Sequence, residues 1–312
     1  MTEQVRSGHR HAGKRHGGHG HGGHGHAHRR LGRESVLRET LVRMLKSPGA
    51  KVGFVILVII IVACAAAPLI APYGVNEIDI KSLKQPPSLK HLLGTDALGP
   101  DMLTRLLYGG QYSILLGLCA SVFGNGLGVI LGSIAGYFGG TTESVIMRIM
   151  DVWASIPGIL ICILISTVLG PGFFNTILAL SLGGLPNGVR MTRGQILAER
   201  SKEYIEAAQS INCSKISIMF KHILPNVISP IIVNTTMGIG NIITMAASLS
   251  YIGLGVQPPT PEWGAMVTDG RSSMMTQPYL IMFPGLVIAL FVLSMNLVGD
   301  GLRDALDPRL RD

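Results

Sequence analysis

Charge is scarce in this chain: only 14% of its 312 residues are charged, while 47% are hydrophobic. That ratio excludes an ordinary soluble domain, and a mean hydropathy of +0.43 agrees. Signatures of catalysis are missing as well. No G-x-x-x-x-G-K-[ST] run occurs, so the chain has no phosphate-cradling loop of its own. H-E-x-x-H, G-x-S-x-G and C-x-x-C are also absent, and Gly253-Leu254-Gly255 lacks the strand and helix context of a dinucleotide site. The four cysteines, Cys64, Cys119, Cys162 and Cys213, form no close pair, which argues against disulfides and against a thiolate metal site. The expectation is a protein that is not an enzyme and binds no cofactor itself.

What is present is long apolar runs. Residues 52–71 carry no charge, and at about 1.5 Å per residue they reach across a bilayer core of roughly 30 Å. The run is too long for a signal peptide and lacks a convincing cleavage site, with Pro68 and Pro72 near its end, so it reads as a retained span. Further spans are expected near 112–138, 149–169, 173–189, 227–248 and 280–298. The fold class is therefore all-α, a polytopic membrane protein with six transmembrane helices. Placing the N-terminus inside puts 21 of the 26 Lys and Arg residues on the cytoplasmic side, including those of the 190–226 loop and of both termini. The net charge of +8 thus lies beside spans, as a membrane protein requires, and does not point to nucleic acid.

Three segments are expected. Residues 1–30 are rich in Gly, His and basic residues and should be disordered. They hold eight of the ten histidines, and His16, His19, His21, His24, His26 and His28 are candidate weak ligands for Ni²⁺, Zn²⁺ or Cu²⁺; a tolerated polar tail is the simpler reading. Residues 31–48 contain a basic amphipathic helix suited to the membrane surface, ended by Ser47-Pro48. Residues 49–312 form the membrane domain, with an external loop at 73–111 and a cytoplasmic loop at 190–226.

Within the second span, Gly124, Gly128, Gly132 and Gly136 recur every four residues, a ridge that lets another backbone approach closely. On the fifth span, Asn234, Gly238, Asn241, Met245 and Ser248 fall near one line of a 3.6-residue helix. Amides are costly to expose to lipid, so this face should meet either protein or a water-filled pathway. Charges stay at span ends, as with Arg148 and Asp151 or Asp300 and Arg303, pairs spaced to meet on a helix. That placement argues against a proton-coupled carrier.

The 190–226 loop is the most informative stretch. Glu203, Tyr204, Glu206, Ala207 and Ala208 sit in a run of helix formers, and Asn212 stands where the helix must stop in a left-handed conformation. A second short helix near 215–222 is expected before Ile223, Leu224 and Pro225. This pattern resembles the "EAA" loop of ABC importer permeases, with Asn212 in place of the usual Gly. The segment HLLGTDALGPDMLTRLLYGG, the run SLSYIGLGVQPPTPEWGAM and the ending NLVGDGLRDALDPRLRD are similar to the peptide and nickel branch of that family. Pro100 and Gln111 stand where the family often has Arg, and the histidine tract lies outside the family pattern.

The resemblance implies a type I ABC importer permease of the cytoplasmic membrane of a bacterium or archaeon. It implies a second, homologous permease subunit, two ATPase subunits carrying ATP and Mg, an extracytoplasmic solute-binding protein, and membrane lipid as surroundings. In that reading the residues named above between 203 and 225 form the ATPase-coupling loop, and the substrate is a di- or oligopeptide. A nickel or metal-chelate importer is the near alternative, and a scaffold that recruits an ATPase without transporting is the distant one. Removing residues 1–30 is expected to leave solute uptake unchanged, which uptake into membrane vesicles by the truncated and full chains would check.

Overall fold

The computed structural model describes residues 33–77, 83–96 and 99–306, with side chains from residue 39 onward. The histidine tract falls outside the described residues. Regular structure is helical throughout them, apart from one isolated bridge between Thr95 and Asp101. The helices are α1 (Arg33–Met44), α2 (Pro48–Ala65), α3 (Ala67–Ile70), α4 (Met102–Phe138), α5 (Gly140–Ala154), α6 (Gly158–Leu169) and α7 (Phe173–Gly183). They continue with α8 (Leu185–Arg200), α9 (Glu203–Ser210), α10 (Lys215–Ser217), α11 (Leu224–Tyr251), α12 (Trp263–Gly270) and α13 (Tyr279–Leu306). A π-helical turn, Ile218–Ile223, joins α10 to α11 without a break. The bundle thus has an α9 end and an α12 end, separated by the length of α11.

The all-α class stands, but the expected six spans are modified. Among the described residues, four helices are long and apolar enough to cross a membrane: α2, α4, the continuous Lys215–Tyr251 helix, and α13. The expected third span is α5 and α6, which meet at 85°. Pro157 lies at that corner, and the clash of its ring with the preceding residue disfavours helix at Ile156. The expected fourth span is also divided, because α7 stops at Gly183 and α8 restarts at Leu185.

Prolines free backbone carbonyls at two such breaks, and a neighbouring helix satisfies each one. Pro186 has no N–H to give to the Leu182 carbonyl four residues back, and the Trp153 indole donates to it at 3.1 Å. Pro68 likewise leaves the Cys64 carbonyl, and Gln111 Nε2 donates there at 2.7 Å. A bare carbonyl within an apolar layer is unfavourable, so these contacts let the breaks exist where they do.

The helices assemble around close backbone approaches. The glycine ridge of α4 lies against α7 and α8. A Cβ added at Gly124 would come 2.8 Å from the Ser181 carbonyl oxygen, at Gly128 3.0 Å from the Gly188 carbonyl carbon, and at Gly132 2.7 Å from the Val189 carbonyl oxygen. Charged pairs tie α5 to α8: Arg193 Nε donates to Glu143 Oε1 at 2.6 Å, and Arg190 pairs with Asp151 at 2.9 Å. Asp151 is thus held from α8, not by Arg148 as its spacing suggested. On the other side, α13 packs against α2 and α11.

The α12 end is closed by buried polar residues. Asp101 caps α4, accepting from Thr104 N at 2.9 Å and Thr104 Oγ1 at 3.0 Å, with His91 Nδ1 also 3.0 Å away. The helix therefore starts at Met102, and the expected 73–111 loop is ten residues shorter at that side. Arg105 pairs with Asp96 beneath the cap and lies 3.9 Å from Asp269. Burial pushes the Asp269 carboxyl above its ordinary value, and Arg105 pulls it back. Glu262, 1% exposed, caps α12 through Gly264 N and Ala265 N at 2.9 and 2.8 Å. It also accepts from Ser113 at 2.9 Å and Ser250 at 3.1 Å, so one carboxyl group joins α4, α11 and α12. Trp263 fills the core beside it against Phe291 and donates from its indole to the Leu106 carbonyl at 2.9 Å. Replacing Gly132 by Val should lower stability by about 1–3 kcal/mol or more through overpacking of the α4–α8 contact, and thermal unfolding in detergent would read the change.

Candidate functional site

The α9 end carries the 190–226 loop. Residues 190–200 are the end of α8, so the loop proper is α9, a turn, and the start of the long Lys215–Tyr251 helix. The turn forms as its sequence suggested. Asn212 has φ +58°, Asn212 N donates to the Gln209 carbonyl at 3.0 Å, and Cys213 N donates to the Ala208 carbonyl at 3.1 Å. These two bonds are the reciprocal pair of a Schellman motif, which supplies partners for two of the last carbonyls of α9. The expected second short helix does not stop before Pro225. Pro225 sits at the start of α11, where a missing N–H is tolerated, and the π turn carries the chain into it.

Burial separates the loop residues into two groups. Ile205, Ala208, Ile218, Met219 and Ile223 are buried together with Tyr137, Ile196 and Val227. Ile223, expected as a coupling residue, is core; Leu224 is half-buried and Pro225 exposed. Glu203, Glu206, Ala207 and Asn212 face outward. Beside them lie three apolar side chains that the sequence reading missed: Ile211, 75% exposed, Ile216, 65%, and Phe220, 56%. The signal was available, because apolar residues at 216 and 220 are spaced i, i+4 on the face away from Ile218 and Met219.

Tyr204 belongs to a network that fixes α9. Its hydroxyl donates to Glu199 Oε1 and accepts from Asn226 Nδ2 at 2.9 Å, while Lys202 pairs with Glu199 at 2.7 Å. Burial, and then the Glu199 carboxyl group it donates to, push the Tyr204 phenol up to about 12, so it remains a donor. The network joins the end of α8, the start of α9 and the start of α11. Glu199 and Asn226 are the parts not anticipated. Arg200 adds a contact over the Tyr137 ring, 5.9 Å from its centroid.

The second part of the site is a cavity of about 730 Å³ between α4, α7, α8, α11 and the α5–α6 corner. Asn234, Gly238, Asn241 and Met245 line it together, as the fifth-span periodicity suggested. Ser248 does not; its hydroxyl donates to the Thr244 carbonyl at 3.0 Å, which satisfies it within the helix. Asn234 is also close to Met191, to whose sulfur its amide donates. Asn125 and Asn187 contribute further amides from α4 and α8, and Arg190, Ser121, Ser181 and Trp153 add further polar groups to the lining. Asn125 was not anticipated, although it lies one residue beyond Gly124 of the ridge.

Among the described residues, no group of three or more His, Cys, Asp or Glu side chains is placed to hold a metal ion. The histidine candidates lie outside those residues.

Long apolar helices, a cavity lined by amides instead of paired acids and bases, and a surface helix with exposed apolar side chains define a membrane transport component. Residues 128–312 match the family described as binding-protein-dependent transport system inner membrane component, and residues 35–87 match the N-terminal TM domain of oligopeptide transport permease C. The chain belongs to the first of these families, whose match covers more than half of it. It is 44% identical over 259 residues to the glutathione transport system permease protein GsiD of Escherichia coli O6:K15:H31, covering 83% of this chain and 85% of that protein. It is 39% identical over 284 residues to the di/tripeptide transport system permease protein DppC of Pseudomonas aeruginosa, covering 89% and 94%. In fold it is similar to a chain of the inward-facing MetNI methionine ABC transporter, with a TM-score of 0.56 and 17% identity over 66% of this chain and 98% of that one. It is thus a permease subunit of an ABC importer and a multi-pass membrane protein.

Asn212→Gly should leave the turn intact, whereas Asn212→Val should weaken it by about 1–2 kcal/mol, because a β-branched side chain resists positive φ. The rate of proteolytic nicking at the loop would separate the two.

Proposed function

We propose that this subunit forms one half of an ATP-driven import pathway for short peptides, including glutathione-like ones, across a bacterial or archaeal cytoplasmic membrane. The observation that carries the reading is the cavity of about 730 Å³ lined by four amide side chains, of which Asn187 and Asn241 are free to offer a peptide backbone donors and acceptors, while Asn125 donates to Ser121 and Asn234 to Met191. Two relatives named for glutathione and di/tripeptide transport support the same substrate class.

The charge distribution of the sequence supports a cytoplasmic position for the termini and the α9 end. There, the exposed surface of Glu203, Glu206, Ala207, Ile211, Ile216 and Phe220 docks an ATPase subunit, which carries the ATP and Mg. The complete importer contains a homologous permease partner, two ATPase subunits and an extracytoplasmic solute-binding protein. ATP-driven closure of the ATPases moves the α9 end as a body and switches access to the cavity. Hydrolysis belongs to the partners and not to this chain.

Reconstitution of the assembled complex in liposomes tests this. ATP-dependent peptide uptake is expected; uptake indifferent to ATP would overturn the importer reading. ATPase binding with no uptake would favour a scaffold, and Ni²⁺ bound to the co-purifying solute-binding protein would favour metal import. Glu206→Lys, at an exposed position that leaves the core untouched, should uncouple ATP hydrolysis from uptake while the protein still inserts. Normal coupling in that variant would remove Glu206 from the docking surface.

A further inference from the structure

Arg190 stands apart from the other residues around the cavity. Among the described residues it is the one charged side chain in the cavity lining; the rest are amides, hydroxyls, apolar groups and glycines. No Asp or Glu lines the wall with it, although Asp151 lies 2.9 Å from its guanidinium on α5. Both side chains of that pair are well exposed, 41% for Arg190 and 54% for Asp151. An exposed pair of this kind is held by roughly 1 kcal/mol or less, so a competing anion can displace it. The basic neighbours differ in this respect. Arg193 is engaged by Glu143 through two nitrogens, and Arg200 lies over Tyr137.

The surroundings of Arg190 suit a carboxylate. Its planar fork can take both oxygens of that group at once. The first turn of α8 contributes Pro186, Asn187 and Gly188 to the same wall, and Arg190 follows about one turn after Pro186 and Asn187 on the same face. Asn187 and Asn241 remain available for the amide groups of the solute, and Trp153, Ile156 and Pro157 supply an apolar surface.

We propose that Arg190 is a specificity-determining residue of the cavity, exchanging Asp151 for the free α-carboxylate of a peptide in transit. The inference rests on the peptide-importer reading above and sharpens it. The cavity then selects for a terminal acid in addition to any selection by the solute-binding protein. Asp151 serves as the resting partner, which keeps the guanidinium paired when no solute is present.

The test compares uptake of alanyl-alanine with uptake of its C-terminal amide by the complete reconstituted importer, in the wild type and in R190Q, R190K and D151N. The solute-binding protein meets the same two peptides in every case, so its own preference cancels between variants. R190Q should lower the acid-to-amide uptake ratio by roughly tenfold, the scale of losing a charge-assisted hydrogen-bonded pair. R190K, which keeps the charge but not the fork, should give an intermediate ratio even if R190Q assembles poorly. D151N should keep the ratio at or above the wild-type value, since it frees Arg190 for the solute. An unchanged ratio in R190Q and R190K would overturn the proposal. Equal loss of both peptides in R190Q and D151N would overturn it too, by showing that the ion pair is needed only for packing. If the wild-type importer took up neither peptide with ATP, the importer reading itself would fail, and this inference with it.

Discussion

The approach of α4 to α8 across small residues sets the rest of the architecture. Gly128 and Gly132 let the α4 backbone come close enough to Gly188, Val189 and Thr192 that no side chain fits between. In an apolar solvent the helices gain nothing from hiding oil from water, so van der Waals contact of this kind has to hold them together. Two functional surfaces hang from the same helix. Asn187 and Arg190 of α8 enter the cavity, and ten residues further on Arg200 leads into α9. A displacement of α8 would therefore move the cavity wall and the exposed loop surface together.

Much of this was legible in the sequence, for particular reasons. The four-residue glycine period announced a close contact but not its partner, because spacing along one helix carries no information about another. Asn212 announced a left-handed turn because few residue types tolerate that backbone, and the turn bonds followed. The amide face of α11 was visible as a helical line. Its last member, Ser248, dropped out because a hydroxyl can satisfy itself on the helix backbone while an amide at Asn234 or Asn241 reaches outward.

What was not legible depends on contacts between distant segments. The apolar content of 149–169 reads as one span, since hydropathy sums composition and is blind to a corner at Pro157. Nothing in the proline-rich sequence around Glu262 announces a buried acid. Only its assembly with Ser113, 149 residues earlier, makes it a buried joint. Gln111 looked like a departure from the usual Arg of the family. In the fold it is the donor that accommodates Pro68, so its identity is tied to a residue on another helix. Tyr204 similarly looked like part of a docking surface, yet its hydroxyl is committed to Glu199 and Asn226 inside the loop.

The π turn at Ile218–Ile223 has a geometric meaning of its own. It lies in an otherwise continuous helix between the exposed Ile216 and the amide line of Asn234 and Asn241, and it carries the exposed Phe220 itself. Each residue in a helix corresponds to about 100° of rotation, and a wide turn accommodates a residue that a regular helix would place elsewhere. That turn is therefore a phase setting. It fixes the angle around the helix axis between the surface offered to the cytoplasmic partner and the face offered to the solute, as a keyed joint fixes two cams on one shaft. Sequences that lengthen or shorten the segment by a single residue would keep the flanking helices, yet point one of the two faces in a different direction.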